Sequence, residues 1–118
     1  MSNLLAACLC AEWCDTCRDY RVEFEALSRE FPHYRFVWVD IEDQAELIDD
    51  IDVGNFPTLL VADGDSPLFA GTMLPQIGRL QRLLQTLDAQ AEPQVGKLTA
   101  EELAAYAALA ARLQSRQS

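Results

Sequence analysis

The sequence predicts an α/β fold in three layers, a central mixed sheet of about four strands flanked by helices, with an extra helix at the C-terminal end. Three observations predict it. An unbroken apolar run, Leu4-Leu5-Ala6-Ala7-Cys8-Leu9-Cys10, leads through a short turn into a periodic segment from Cys17 to Phe31. A second run rich in aromatic and β-branched residues follows, so the order is strand, helix, strand, which favours a right-handed parallel crossover. Two later short apolar runs flank Asp63-Gly64-Asp65, the signature of an antiparallel hairpin.

Residues 3 to 10 lack alternation and are too short for a helix, which fits a central strand buried on both faces. From Cys17, residues Tyr20, Phe24, Leu27 and Phe31 recur at steps of three and four, giving an amphipathic helix that ends before Pro32. Tyr34 to Asp40 is the second strand. Glu42 to Ile51 carries Leu47, Ile48 and Ile51 on one side of an acidic segment, the pattern of a short helix terminated by Gly54-Asn55. Phe56 to Val61 reads as a strand with Pro57 near its start, where a missing N–H matters least. Pro67 to Ala70 is its hairpin partner, closed by Gly71. Pro75 stands at a plausible first helical position, with Ile77, Leu80, Leu83, Leu84 and Leu87 as an apolar stripe beyond it. After a break containing Pro93 and Gly96, Thr99-Ala100-Glu101-Glu102 has capping-box spacing. It opens a last helix whose apolar face is Leu103, Tyr106, Ala110 and Leu113. The chain divides into residues 1–90, the main domain, and 91–118, a linker and helical extension.

At 118 residues and 50% hydrophobic the chain can bury one core. A net charge of −10 argues against nucleic acid or an anionic membrane surface as partner. No run of about 18 apolar residues and no basic segment ahead of the first apolar run is present, so neither a membrane span nor a secretory signal is expected. A cytoplasmic location follows as the expectation. All four cysteines fall between Cys8 and Cys17, too close together to staple distant parts of a fold. In a reducing compartment such a cluster means redox chemistry or metal.

The chemistry centres on Trp13-Cys14-Asp15-Thr16-Cys17. If the helix starts at or just after Cys14, the free amides of its first turn and the helix dipole face the first sulfur and favour its anion. Cys17 lies one turn along the same face, placed to attack a mixed disulfide formed on Cys14. Cys14 is then the nucleophile and Cys17 the resolving thiol. Cys8 and Cys10, two apart on a strand, share one face and read as small buried hydrophobes. Their alternative is a four-cysteine metal site, which a straight strand running into a helix does not easily bring within bonding distance of one ion.

These elements, with Trp13 and the two cysteines at a strand-to-helix turn, the Val39-Asp40-Ile41 strand end and Phe56-Pro57-Thr58 opening a later strand, resemble the thioredoxin family over roughly residues 3 to 90. The resemblance implies a cis peptide before Pro57, facing the sulfurs. It also implies a substrate groove formed by Trp13, Phe56, Pro57 and Gly71, with the Phe56 backbone able to pair with an extended substrate segment. It implies a protein disulfide oxidoreductase working as a reductase and needing no cofactor beyond a Cys14–Cys17 disulfide. Its partners would be protein disulfides and an unidentified reductant. Four departures stand out. The family's buried acid six residues before the first cysteine is Cys8 here, its lysine on the neighbouring strand corresponds to Trp38, and Asp15-Thr16 replace glycine and proline. The family's first strand and helix are also missing, which leaves a sheet edge and an apolar surface to be covered. The C-terminal helix could dock there on its own sheet, or it or the open edge could join a second copy as a homodimer. Besides the oxidoreductase, a redox-inactive interaction module and a metal-binding module fit the same residues.

Overall fold

The computed structural model describes residues 3–11, 13–48, 51, 56–90 and 92–115. Four strands and three helices run in the order β1 Leu4–Cys10, α1 Asp15–Leu27, β2 Arg35–Asp40, β3 Thr58–Asp63, β4 Ser66–Thr72, α2 Ile77–Gln90 and α3 Ala100–Ser115. The sheet order is β2-β1-β3-β4, with β1 parallel to β2 and antiparallel to β3. The first apolar run is therefore a central strand, and the mixed sheet with flanking helices is the expected one.

Continuous hydrophobicity in β1 has a direct cause. Ala6, Cys8 and Cys10 point into a core shared with α1 and α2, whereas Leu5, Ala7 and Leu9 point into a second core on the opposite face. Leu59 and Val61 of β3 join the first core, Leu60 and Ala62 the second. Strands covered on both sides need apolar residues at every position. Tyr20, Phe24 and Leu27 turn inward from α1, as their spacing requires, and Phe24 packs against Phe36 and Trp38 of β2.

The second core is covered by α3, through Tyr106, Leu109, Ala110 and Leu113. The C-terminal helix thus docks on its own sheet. Its start is held by a reciprocal capping box: the Glu102 amide donates to Thr99 Oγ1 at 3.1 Å and the Thr99 amide donates to Glu102 Oε1 at 2.9 Å. Its end is tied to the other end of the chain. The Gln114 side-chain amide donates to the Asn3 carbonyl at 2.7 Å and to the Gly64 carbonyl at 3.3 Å, and the Arg35 guanidinium donates to the Leu113 carbonyl.

Three local expectations are corrected. Within Glu42 to Ile51 the described residues form only a single 3-10 turn, Ala45–Leu47, in place of a helix. The Asp40 carboxylate accepts from the amides of Glu42 and Asp43, at 2.9 and 3.1 Å, and this local turn competes with helical pairing. Gly54 and Asn55, expected to end that helix, lie outside the described residues. Pro75 precedes α2 rather than occupying its first position, because the helix starts at Ile77. Gly71 does not close β4 but lies inside it, opposite Leu59, with φ of +148°. The turn between β3 and β4 is made by Gly64 with φ of +64°, a left-handed conformation that glycine adopts at least cost.

Candidate functional site

The site forms where β1 stops and α1 begins. Cys14 is the N-cap residue of α1, with extended backbone angles (φ −89°, ψ 121°) and no side-chain capping hydrogen bond. Its amide donates to the Ala11 carbonyl at 3.1 Å, closing the turn, and its carbonyl accepts the first helical hydrogen bond, from Arg18, at 3.1 Å. An N-cap side chain lies where the amides of the next two or three residues can reach it. The sulfur of Cys14, half-buried at the helix start, therefore has donors at hand for an anion. The expected helix start is in place.

Asp15 does not act on Cys14 as a lone carboxylate. The Arg18 guanidinium pairs with it across one turn of the exposed face. That ion pair supplies a compensating positive charge beside the site, although solvent screens it.

Cys17 is fully buried one turn into the helix, and its sulfur accepts a hydrogen bond from the Ala11 amide at 3.3 Å. It is not bonded to Cys14. The structure joins Cys17 to Cys10, with Cα atoms 5.8 Å apart, and leaves Cys8 and Cys14 as free thiols. Cys10, expected to be an inert buried hydrophobe, is thus corrected to a disulfide partner. The reason lies in the strand parity and the helix turn: Cys10 ends β1 on the face that α1 covers, and the third residue of α1 turns inward onto that strand end. Two cysteines so placed fall inside the usual Cα range for a disulfide of about 4.4–6.8 Å. The Cys-X-Cys spacing already held this signal, since it puts Cys10 on the same face as Cys8 and hence toward the helix.

Cys8 is fully buried, and burial pushes its thiol far above the ordinary cysteine range. It therefore keeps its proton at neutral pH and cannot stand in for the acid that the resemblance would put at this position. Its strand neighbour is Trp38, as expected for the lysine replacement, and the Arg21 guanidinium lies 5.3 Å above the Trp38 ring. Among the described residues no group of three or more His, Cys, Asp or Glu side chains is gathered as a metal site.

Around the sulfurs, Trp13 is 62% exposed. Its ring meets Phe56 edge-on at 5.8 Å, and its indole N–H donates to the Glu42 carboxylate. Trp13 is thus an exposed ring braced by Phe56 and Glu42. The Phe56–Pro57 peptide is cis, and the Pro57 carbonyl accepts from the Met73 amide at 3.0 Å, which fixes this loop to the end of β4. Phe56 packs against the same core as Cys10, Cys14 and Cys17. Gly71, in contrast, has no heavy atom within 4 Å of a notional Cβ, so its backbone angle, not crowding, favours glycine there.

Comparison with known proteins bears on the fold. The family model described as thioredoxin matches residues 3–89. A thioredoxin of Chlamydia trachomatis is 33% identical over 60 residues, which cover 51% of this chain and 59% of that protein. The chain therefore spans less than two thirds of that curated relative. Among solved structures, thioredoxin from Trypanosoma brucei brucei superposes with a TM-score of 0.68 at 25% identity, covering 75% of this chain and 77% of the other. Fasciola hepatica thioredoxin gives 0.65 at 23% identity, covering 71% and 80%. These two show a shared fold.

Proposed function

Because the chain belongs to the thioredoxin family, we propose that it is a thiol–disulfide oxidoreductase that exchanges disulfides with protein substrates. The observation that carries this reading is the half-buried Cys14 thiol at the N-cap of α1, with Cys17 buried one turn behind it. The Cys14 thiolate attacks a substrate disulfide and forms a mixed disulfide, releasing one substrate thiolate. The Cys17 thiolate then attacks the Cys14 sulfur, releasing the second substrate thiolate and leaving Cys14–Cys17 oxidised. Two electrons pass to the substrate, and an external reductant returns them. No other cofactor is needed. A reducing compartment such as the cytoplasm would run the cycle as reduction. Trp13, Phe56, Pro57 and Gly71 would line the groove for an extended substrate segment, with aromatic rings on one wall. A homodimer, if formed, would use the open edge of β2, since the apolar face of α3 is already spent on its own sheet.

The test is reduction of a model protein disulfide, with small-molecule reductant supplied, by wild type, Cys14→Ser and Cys17→Ser. Cys14→Ser should lose at least about 100-fold in rate because no other exposed thiol can enter the exchange. Cys17→Ser should accumulate substrate trapped on Cys14. Equal rates in all three would favour the interaction module, a reading that draws on Cys17 being bonded away from Cys14 in the structure.

A further inference from the structure

The structure bonds Cys17 to Cys10, whereas the exchange cycle pairs it with Cys14. We propose that Cys10 is a third redox thiol, which takes the disulfide inward from Cys14–Cys17 and leaves the oxidised protein with a free Cys14. This rests on the exchange cycle described above. The step balances internally. The Cys10 thiolate attacks the Cys17 sulfur, the Cys10–Cys17 bond forms and the Cys14–Cys17 bond breaks. Cys14 departs as thiolate and takes up the proton that Cys10 gave up. No electrons enter or leave.

Placement supports the exchange. Cys14 and Cys17 are the N-cap and third residues of α1, so an N-cap side chain reaches toward the amide of Cys17 itself. Cys10 approaches the same residue from the strand end, and the Ala11 amide holds the Cys17 sulfur on that side. Cys17 thus faces one partner toward solvent and one toward the core, and a side-chain rotation separates the two pairings. Cys10 and Cys17 are both fully buried, whereas Cys14 is not. The inward exchange therefore hides the disulfide and exposes the nucleophile. Cys8 does not compete, being one pleat deeper on the strand with its sulfur unbonded.

The functional consequence is a change of reaction class. The reduced protein resolves its own mixed disulfides through Cys17. The inwardly oxidised protein still attacks disulfides through Cys14 but has no resolving thiol, so its mixed disulfides persist until an external thiol releases them. One round of oxidation converts a dithiol reductase into a monothiol that retains its adduct.

Disulfide mapping of the full chain tests this directly. No Lys or Arg precedes Arg18, so trypsin leaves all four cysteines in one peptide, whereas cleavage after Glu12 separates Cys8 and Cys10 from Cys14 and Cys17. Reduced protein is treated with one equivalent of a small-molecule disulfide, quenched in acid, alkylated and cleaved after glutamate. The expected product is residues 1–12 linked to residues 13–23, with alkyl labels on Cys8 and Cys14, and Cys8→Ser should give the same linkage. Cys10→Ser should instead confine the disulfide to residues 13–23. In Cys14→Ser the Cys10–Cys17 bond should form at least about tenfold more slowly, since buried thiols meet an external oxidant poorly. Wild type that stops at Cys14–Cys17, or Cys14→Ser that forms the inner bond at the wild-type rate, would overturn the relay. Cys10→Ser that forms no Cys14–Cys17 bond at all would overturn the exchange cycle itself, which keeps the two failures apart.

Discussion

At the scale of single residues, the site is a problem in where each sulfur points. That Cys14 would sit at a helix start was legible from the apolar run before it and the helical spacing after it. That Cys17 would face inward was legible from its register with Tyr20, Phe24 and Leu27. Its bond to Cys10 was not, because it depends on how far the strand end and the first helical turn approach each other in space. Tyr20 shows another thing a sequence hides. Its hydroxyl is buried, near Cys8, with no hydrogen-bond partner among the described residues. Burial raises its ionisation well above the ordinary tyrosine range, and the nearby Cys8 and Glu23 add to the rise. A buried orphan hydroxyl costs about 1–3 kcal/mol in lost hydration. Tyr20→Phe keeps the ring in the core and removes that cost. We expect it to unfold at a higher denaturant midpoint than wild type with an unchanged slope, and a lower midpoint would show that the hydroxyl is satisfied in solution.

Among the elements, α3 illustrates what a pattern can and cannot specify. Thr99 to Glu102 predicted its start, and the reciprocal hydrogen bonds follow that spacing. The helical spacing points Leu103, Tyr106, Ala110 and Leu113 inward. The structure buries Leu109 as well and leaves Leu103 half-buried, because so many alanines allow several faces and the sheet selects one. The segment after β2 failed in the opposite way: its apolar spacing suited a helix, but Asp40 drew the following amides into a turn. A graded pair of substitutions separates packing from capping in α3. Leu109→Ala should destabilise by about 2–5 kcal/mol, the range for emptying a buried leucine site. Thr99→Ala should cost about 1 kcal/mol, since it removes only the capping acceptor. Chemical denaturation of both variants checks the order, and equal losses would mean that α3 is held mainly at its start.

For the whole molecule, two cores share one sheet, and several of the groups lining them resist ionisation. Burial, with the Asp88 and Asp63 carboxylates adding negative field, pushes the Tyr34 hydroxyl up to about 12. Burial pushes Cys8 and Tyr20 up as well. For each, the unfolded chain loses its proton at lower pH than the folded one. These groups leave stability unchanged below the unfolded value, about 8.5 for a thiol and 10 for a tyrosine, and lower it as pH rises from there through the folded value. Melting temperature should therefore fall progressively above about pH 9, with tyrosinate absorbance from the buried rings appearing together with unfolding. Tyrosinate appearing fully while the fold persists would contradict the burial of Tyr20 and Tyr34.

The docking of α3 also orders events during synthesis. Leu5, Ala7 and Leu9 leave the ribosome well before the helix that covers them, and that helix's closing hydrogen bonds run from Gln114 to Asn3 and Gly64 and from Arg35 to Leu113. A nascent chain can pair its four strands and lay α1 and α2 on one face while the other face is still bare. Such an intermediate has a site without a finished scaffold, and its exposed sheet face is the surface on which a chaperone would act or two nascent chains would associate.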